Sequence, residues 1–91
     1  MTVFVLENAP LNLRGELTKW LLEVKAGVFV GKLSKTVRDL LWIKIKEVDM
    51  YGALMIYNYN NEQGFKFEMY GEPTRSVVDY DGLELIARSL I

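Results

Sequence analysis

Trp20-Leu21-Leu22-Glu23-Val24-Lys25-Ala26-Gly27-Val28-Phe29-Val30-Gly31 is the stretch on which the fold turns. Apolar residues upstream at Leu13 and Leu17 continue into it at Trp20, Leu21 and Val24, a spacing that draws one stripe on a helix. Leu22 to Lys25 could therefore extend that helix or begin a strand. Ala26-Gly27 has the composition of a tight turn, and it leads into the β-branched and aromatic run Val28-Phe29-Val30. Two short strands around Ala26-Gly27 are the reading we adopt.

Upstream, Val3 to Leu6 is a continuous apolar run, the mark of a central strand buried on both faces. Asn8 as cap and Pro10 near the first turn suit the start of a helix from Leu11. Downstream, Ser34 is a good cap for a second helix, with Val37, Leu40, Leu41, Ile45 and Val48 on one face and Trp42 and Ile43 beside it. Gly52 marks its exit. Ala53 to Tyr59 reads as a strand in which Tyr57 and Tyr59 share a face, and Phe65 to Tyr70 alternates with Phe65, Phe67 and Met69 on one side. Asn60 to Gly64 is the hairpin loop between them. Beyond Pro73, Val77-Val78 and Leu83 to Ala87 form a last extended segment around a turn at Asp81-Gly82.

The order is strand, helix, strand pair, helix, strand, then a hairpin return and a tail. That predicts an α+β, ferredoxin-like two-layer sandwich with an extra hairpin strand and a C-terminal extended segment. Residues 1–91 are expected to form a single domain, with 76–91 as a C-terminal interface segment, since Leu83, Leu85, Ile86 and Leu90 are too apolar for a free tail. A chain of 91 residues has a limited core. Homodimerisation would cover its leftover apolar surface and sheet edges.

The chain has no cysteine and no histidine, which excludes thiolate or imidazole zinc sites, His-activated nucleophiles and imidazole acid/base work. Carboxylates, lysines, tyrosines and backbone remain for chemistry. No apolar run approaches the roughly 20 residues that cross a bilayer. The start lacks the basic flank and cleavage site of a signal peptide, so we expect a cytoplasmic protein with no membrane partner. Net charge is −1, against the basic balance usual for nucleic-acid binders, so any nucleic-acid contact must rest on local charge. Arg14 sits early in the first helix, and Lys35 and Arg38 early in the second, all three against the helix macrodipole. Solvated surface charge is the plain reading of these residues, and anion binding is the sharper one.

Glu7-Asn8-Ala9-Pro10, Leu13-Arg14-Gly15 and the whole block Trp20 to Gly31 resemble, almost position for position, the type I-E form of the CRISPR-associated spacer-acquisition protein, the Cas-two family. Ser34, Arg38 and Trp42, then Gly64-Phe65-Lys66-Phe67, Gly71, Arg75 and Val78-Asp79-Tyr80-Asp81-Gly82-Leu83, extend the resemblance over residues 3 to 85. It implies a homodimer that bridges two dimers of the Cas-one integrase and holds duplex prespacer DNA, integration chemistry belonging to the integrase. It also carries Arg14, Arg38 and Arg75 onto positions that face the DNA backbone, with Lys35 close by. The broader family is described as metal-dependent endonuclease, in which an Asp ending the first strand meets its two-fold mate around a divalent ion. The corresponding residue here is Glu7.

The expectation is therefore a scaffold that reads DNA shape and phosphates and requires no cofactor. The alternative is a nuclease, endoribonuclease or DNase, in which Glu7 is the catalytic and metal-binding residue and Mg²⁺ the ion. One Glu supplies at most two of the oxygens an octahedral Mg²⁺ wants, so that reading needs the symmetric pair. A third reading is a ferredoxin-like regulatory domain for a small ligand. Gly64-Phe65-Lys66-Phe67-Glu68-Met69-Tyr70 partly matches the aromatic RNA-binding motif of RRM domains, but it follows the second helix where that motif precedes it.

Overall fold

The computed structural model describes residues 1–48, 50 and 52–71, together with the backbone of 75–80 and 83–88. Within them the order is β1 (Thr2–Glu7), α1 (Leu11–Leu17), β2 (Leu22–Lys25), β3 (Val28–Gly31), α2 (Lys35–Lys46), β4 (Gly52–Asn58), β5 (Phe65–Gly71), β6 (Arg75–Tyr80) and β7 (Leu83–Arg88). Leu22 to Lys25 is a strand, not a helical extension, and β2 and β3 pair as the hairpin expected around Ala26-Gly27. The first five strands form one antiparallel sheet in the order β2-β3-β1-β4-β5. Strands β1 to β4 thereby take the ferredoxin-like arrangement, and β5 is the added hairpin strand. The last extended segment is a paired hairpin, β6 with β7. Its turn at Asp81-Gly82, Pro73 and the apolar side chains of the tail lie outside the described residues.

Gly27 makes the β2–β3 turn possible. Its φ is +80, and the Cβ of any other residue there would lie 2.4 Å from the Leu6 carbonyl oxygen. That carbonyl belongs to β1, and the neighbouring Leu6 N–H donates to the Gly27 carbonyl at 2.8 Å, so a side chain has nowhere to go.

Strand β1 is central, as expected, but it is buried on one face only. Phe4 and Leu6 point into the core while Val3 and Val5 are half-buried on the other side, because both helices lie over the same face of the sheet. Phe4 stands between Phe29 and Met55 in register, and these three are fully buried with Leu17 and Ile45. Burying each such side chain is worth about 1.5–3 kcal/mol. Trp42 closes the layer by stacking on Phe4, the rings 6.2 Å apart and 11° from parallel.

Both helix starts test local capping rules. Ser34 caps α2 through its hydroxyl, which accepts from the Val37 N–H at 3.3 Å. Asn8 does not cap α1. Pro10 occupies the cap position with no side-chain bond, and Asn8 instead adopts a left-handed conformation at φ 59, a region Asn tolerates where the chain reverses out of β1. The face of α2 also differs from the expected one. Trp42 is 5% exposed and Leu40 56%, because Leu41, Trp42 and Ile45 turn toward the sheet and leave Leu40 and Ile43 outward. Trp20 falls in the turn after α1, not on its stripe, and is exposed.

Candidate nucleic-acid interface

The two faces of the sheet differ in kind. On the face the helices leave open, in-register partners draw one apolar row through Leu22, Val30, Val3, Ile56 and Phe67, and a second through Val28, Val5, Leu54 and Met69. No charged side chain interrupts either row, and at about 4.8 Å per strand the longer one is about 19 Å across. Phe65 and Phe67, the aromatics of the RRM-like stretch, lie on this face, packed edge to face at 5.3 Å. They are therefore separated by the sheet from Lys66, on an outer strand that follows α2 where the motif's strand would precede the second helix.

The helix side carries the candidate phosphate contacts, in two places. Arg14 lies near the end where β1 exits, beside a hollow lined by Leu6, Asn8, Ala9, Ala26 and Gly27. Its guanidinium donates to the Glu23 carboxylate at 2.8 Å, and the same carboxylate oxygen accepts from the Gly27 N–H at 2.9 Å. The Gly27 N–H and then Arg14 hold the Glu23 carboxyl below its ordinary 4.5. Glu23 thus ties α1 to the hairpin turn and fixes where Arg14 points, leaving other guanidinium N–H groups to face a ligand.

Lys35 and Arg38 lie toward the opposite end of the sheet. Arg38 stacks its guanidinium 4.0 Å from the centre of the Tyr57 ring, and Tyr57 is the in-register partner of Thr2, where β1 begins. From Thr2 to Glu7 a strand advances about 17 Å, which sets the scale of the separation between the Arg14 and Arg38 sites. The Arg38 side chain is 14% exposed and also bonds Asp39 at 3.3 Å, whereas Lys35 is exposed and only 3.9 Å from Asp39 at its nearest. Lys35 is the more available of the two cations. Arg75 opens β6, and its side chain lies outside the described residues.

Glu7 is the exposed last residue of β1, opposite Gly52. Among the described residues no three or more acidic side chains come together as a metal-ion cluster. No described helix is long and apolar enough to cross a membrane. Reading the sequence alone missed Glu23. Its signal was the carboxylate between Leu22 and Val24, which alternation places on the helix side, within reach of α1.

A family model described as CRISPR-associated protein (Cas_Cas2CT1978) matches residues 1–85.

Proposed function

The chain belongs to this CRISPR-associated Cas-two family, and from that premise we propose that it serves spacer acquisition as a homodimeric scaffold that bridges integrase dimers and holds prespacer duplex DNA by its phosphates. The observation that carries the reading is the division of labour between the two faces. One is wide and apolar across its middle, with charge only at its margin in Glu7 and Lys25; the other presents Arg14 and Lys35 with Arg38 at separate points. A second copy of the chain suits the apolar face, because the face matches itself in chemistry under a two-fold rotation and a chain this small leaves it uncovered. Dimerisation through that face keeps both sets of cations outward and doubles each contact.

Phosphate recognition fits the remaining features. Arg14 is oriented by the Glu23 carboxylate and Lys35 is exposed, so binding should follow charge and shape. Contacts toward opposite ends of β1, a strand about 17 Å long, suit a rod of regularly repeated charge better than a small ligand. With net charge −1, the cations act locally, screened over about 8 Å at physiological salt, so affinity without the integrase should be weak.

The test mixes the protein with the integrase of the same system and a duplex, then measures complex mass and the salt dependence of DNA binding. A complex containing two copies of this chain is expected, and Arg14→Ala or Arg75→Ala should flatten the line of log affinity against log salt by about 0.9 per contact, two contacts per dimer. Failure to form the complex, or affinity losses confined to particular base sequences, would overturn the scaffold. Cleavage of RNA or DNA that requires Mg²⁺ or Mn²⁺ and disappears in Glu7→Ala would put the endonuclease reading in its place.

A further inference from the structure

We propose that Lys66 and Tyr59 form a further phosphate-contact point that extends the Arg38 site across β4 to the outer strand β5. The inference rests on the scaffold reading above and adds residues to which the resemblance assigned no DNA contact.

Tyr57 and Lys66 are direct partners in the β4–β5 ladder, and Tyr59, two residues along, shares the face of Tyr57. The two tyrosine rings meet edge to face, 6.5 Å between centres. Arg38 lies 4.0 Å from the centre of the first ring and the Lys66 ammonium 4.0 Å from the centre of the second. The result is a continuous run of cation, ring, ring, cation from the start of α2 to the edge of the sheet. The hairpin keeps it in place: the Tyr59 N–H donates to the Gly64 carbonyl at 3.0 Å, and the Asn61 side chain accepts from the Gly64 N–H at 2.8 Å.

Lys66 differs from the ion-paired lysines near a helix, and it approaches its ring more closely than Lys46 approaches Trp42, 4.0 Å against 6.0 Å. Lys19, Lys35 and Lys44 each lie within 4.0 Å of a carboxylate. Lys66, among the described residues, has an aromatic face in that role. A ring attracts the ammonium through its quadrupole without neutralising its charge. The lysine is held in one orientation with net charge and donors still available, which is the state that binds a phosphate oxygen with least loss of side-chain freedom. Tyr59 is 47% exposed, so the strip opens to solvent.

The acids facing this strip are Asp39, beside Lys35 and Arg38, and Glu68, two residues from Lys66 on the same strand face. Glu62, in the hairpin loop that joins β4 to β5, brings the carboxylates to three against the cations Lys35, Arg38 and Lys66, so attraction for an anion rests on where the cations point and not on net local charge. Spaced positive points along a sheet edge match an anion that repeats its charge, which a nucleic-acid backbone does.

The test uses the assembled complex with a labelled duplex, titrated between about 50 and 200 mM salt. Lys66→Met, which keeps most of the stem and removes the charge, should flatten the salt line by about 0.9 per protomer, hence about 1.8 per dimer. Tyr59→Leu should weaken binding about two- to five-fold per contact while leaving the slope intact, because the charge remains and only its anchoring is lost. Tyr59→Phe should restore the affinity. A wild-type slope in Lys66→Met, with Arg14→Ala still flattening the line, overturns this contact and leaves the scaffold standing. Wild-type slopes in both overturn both. Weaker binding by Lys66→Met at an unchanged slope would make Lys66 a structural brace, also against the proposal.

Discussion

Replacing Gly27 by alanine should be among the most damaging single-methyl changes in this chain, and its size can be worked out in two parts. At φ +80 an L-residue carries a conformational penalty of about 1–2 kcal/mol. The new methyl would then lie 2.4 Å from the Leu6 carbonyl oxygen, an atom of the central strand that cannot swing aside as a side chain would. Relief requires the turn to lift away from β1, which stretches the 2.8 Å bond from Leu6 N–H to Gly27 O and forfeits about 0.5–1.5 kcal/mol. The two parts add to about 1.5–3.5 kcal/mol, a large part of the roughly 5–15 kcal/mol available to a domain. Gly64 supplies the control, since it shares a positive φ of +85 but a methyl there meets nothing within 4 Å, so Gly64→Ala should show the conformational part alone. Gly15→Ala, on an exposed helical position with equally open space, should stabilise by about 0.5–1 kcal/mol. Urea unfolding followed by tryptophan fluorescence, at one fixed protomer concentration, measures all three. A Gly27→Ala loss no larger than that of Gly64→Ala would show that the contact with Leu6 is relieved freely and would refute the reasoning.

Ile56→Lys places a charge within the longer apolar row and should convert the proposed dimer into a folded monomer in light scattering; an unchanged dimer mass would locate the interface elsewhere. Glu7→Ala should leave spacer acquisition nearly intact, and its loss with folding and assembly preserved would return catalysis to this domain. Glu23 and Glu16 both titrate below the ordinary 4.5, Glu23 mainly through the Gly27 N–H and then Arg14, Glu16 through Lys44 and Lys19. Their folded forms bind protons less tightly than their unfolded forms, so this stability is complete above about pH 4.5 and disappears as pH falls through the depressed values. The stability difference between the wild type and Glu23→Gln should shrink from pH 7 to pH 3.5, and a constant difference would assign Glu23 no charge-dependent role. Deleting residues 83–91 removes β7 from its pairing with β6 and should abolish the integrase complex or the dimer; survival of both in mass measurements would leave the tail without an assembly role.

Some of this protein was legible without a structure because it is written locally. A hydroxyl at Ser34 can reach only the next turn of backbone, Gly27 sits where a tight turn needs a residue without Cβ, and Phe65, Phe67 and Met69 alternate at the period of a strand, so cap, hairpin and apolar face followed from near neighbours. Composition settled the exclusion of thiolate and imidazole chemistry in the same way. The tertiary structure alone decided the rest. Asn8 lost the cap to Pro10 because the exit from β1 needed a left-handed residue. Trp42 took the core place expected of Leu40 because packing on Phe4 set the rotation of α2, and periodicity leaves that rotation free by a residue either way. Arg14 and Arg38 looked equivalent as cations early in helices. Yet one is tied to a carboxylate nine residues on and the other stacked on a ring nineteen residues on, at different ends of the sheet. Spacing along a chain encodes the face a residue occupies, but the partner it meets across that face is fixed only when strands distant in sequence are brought into register.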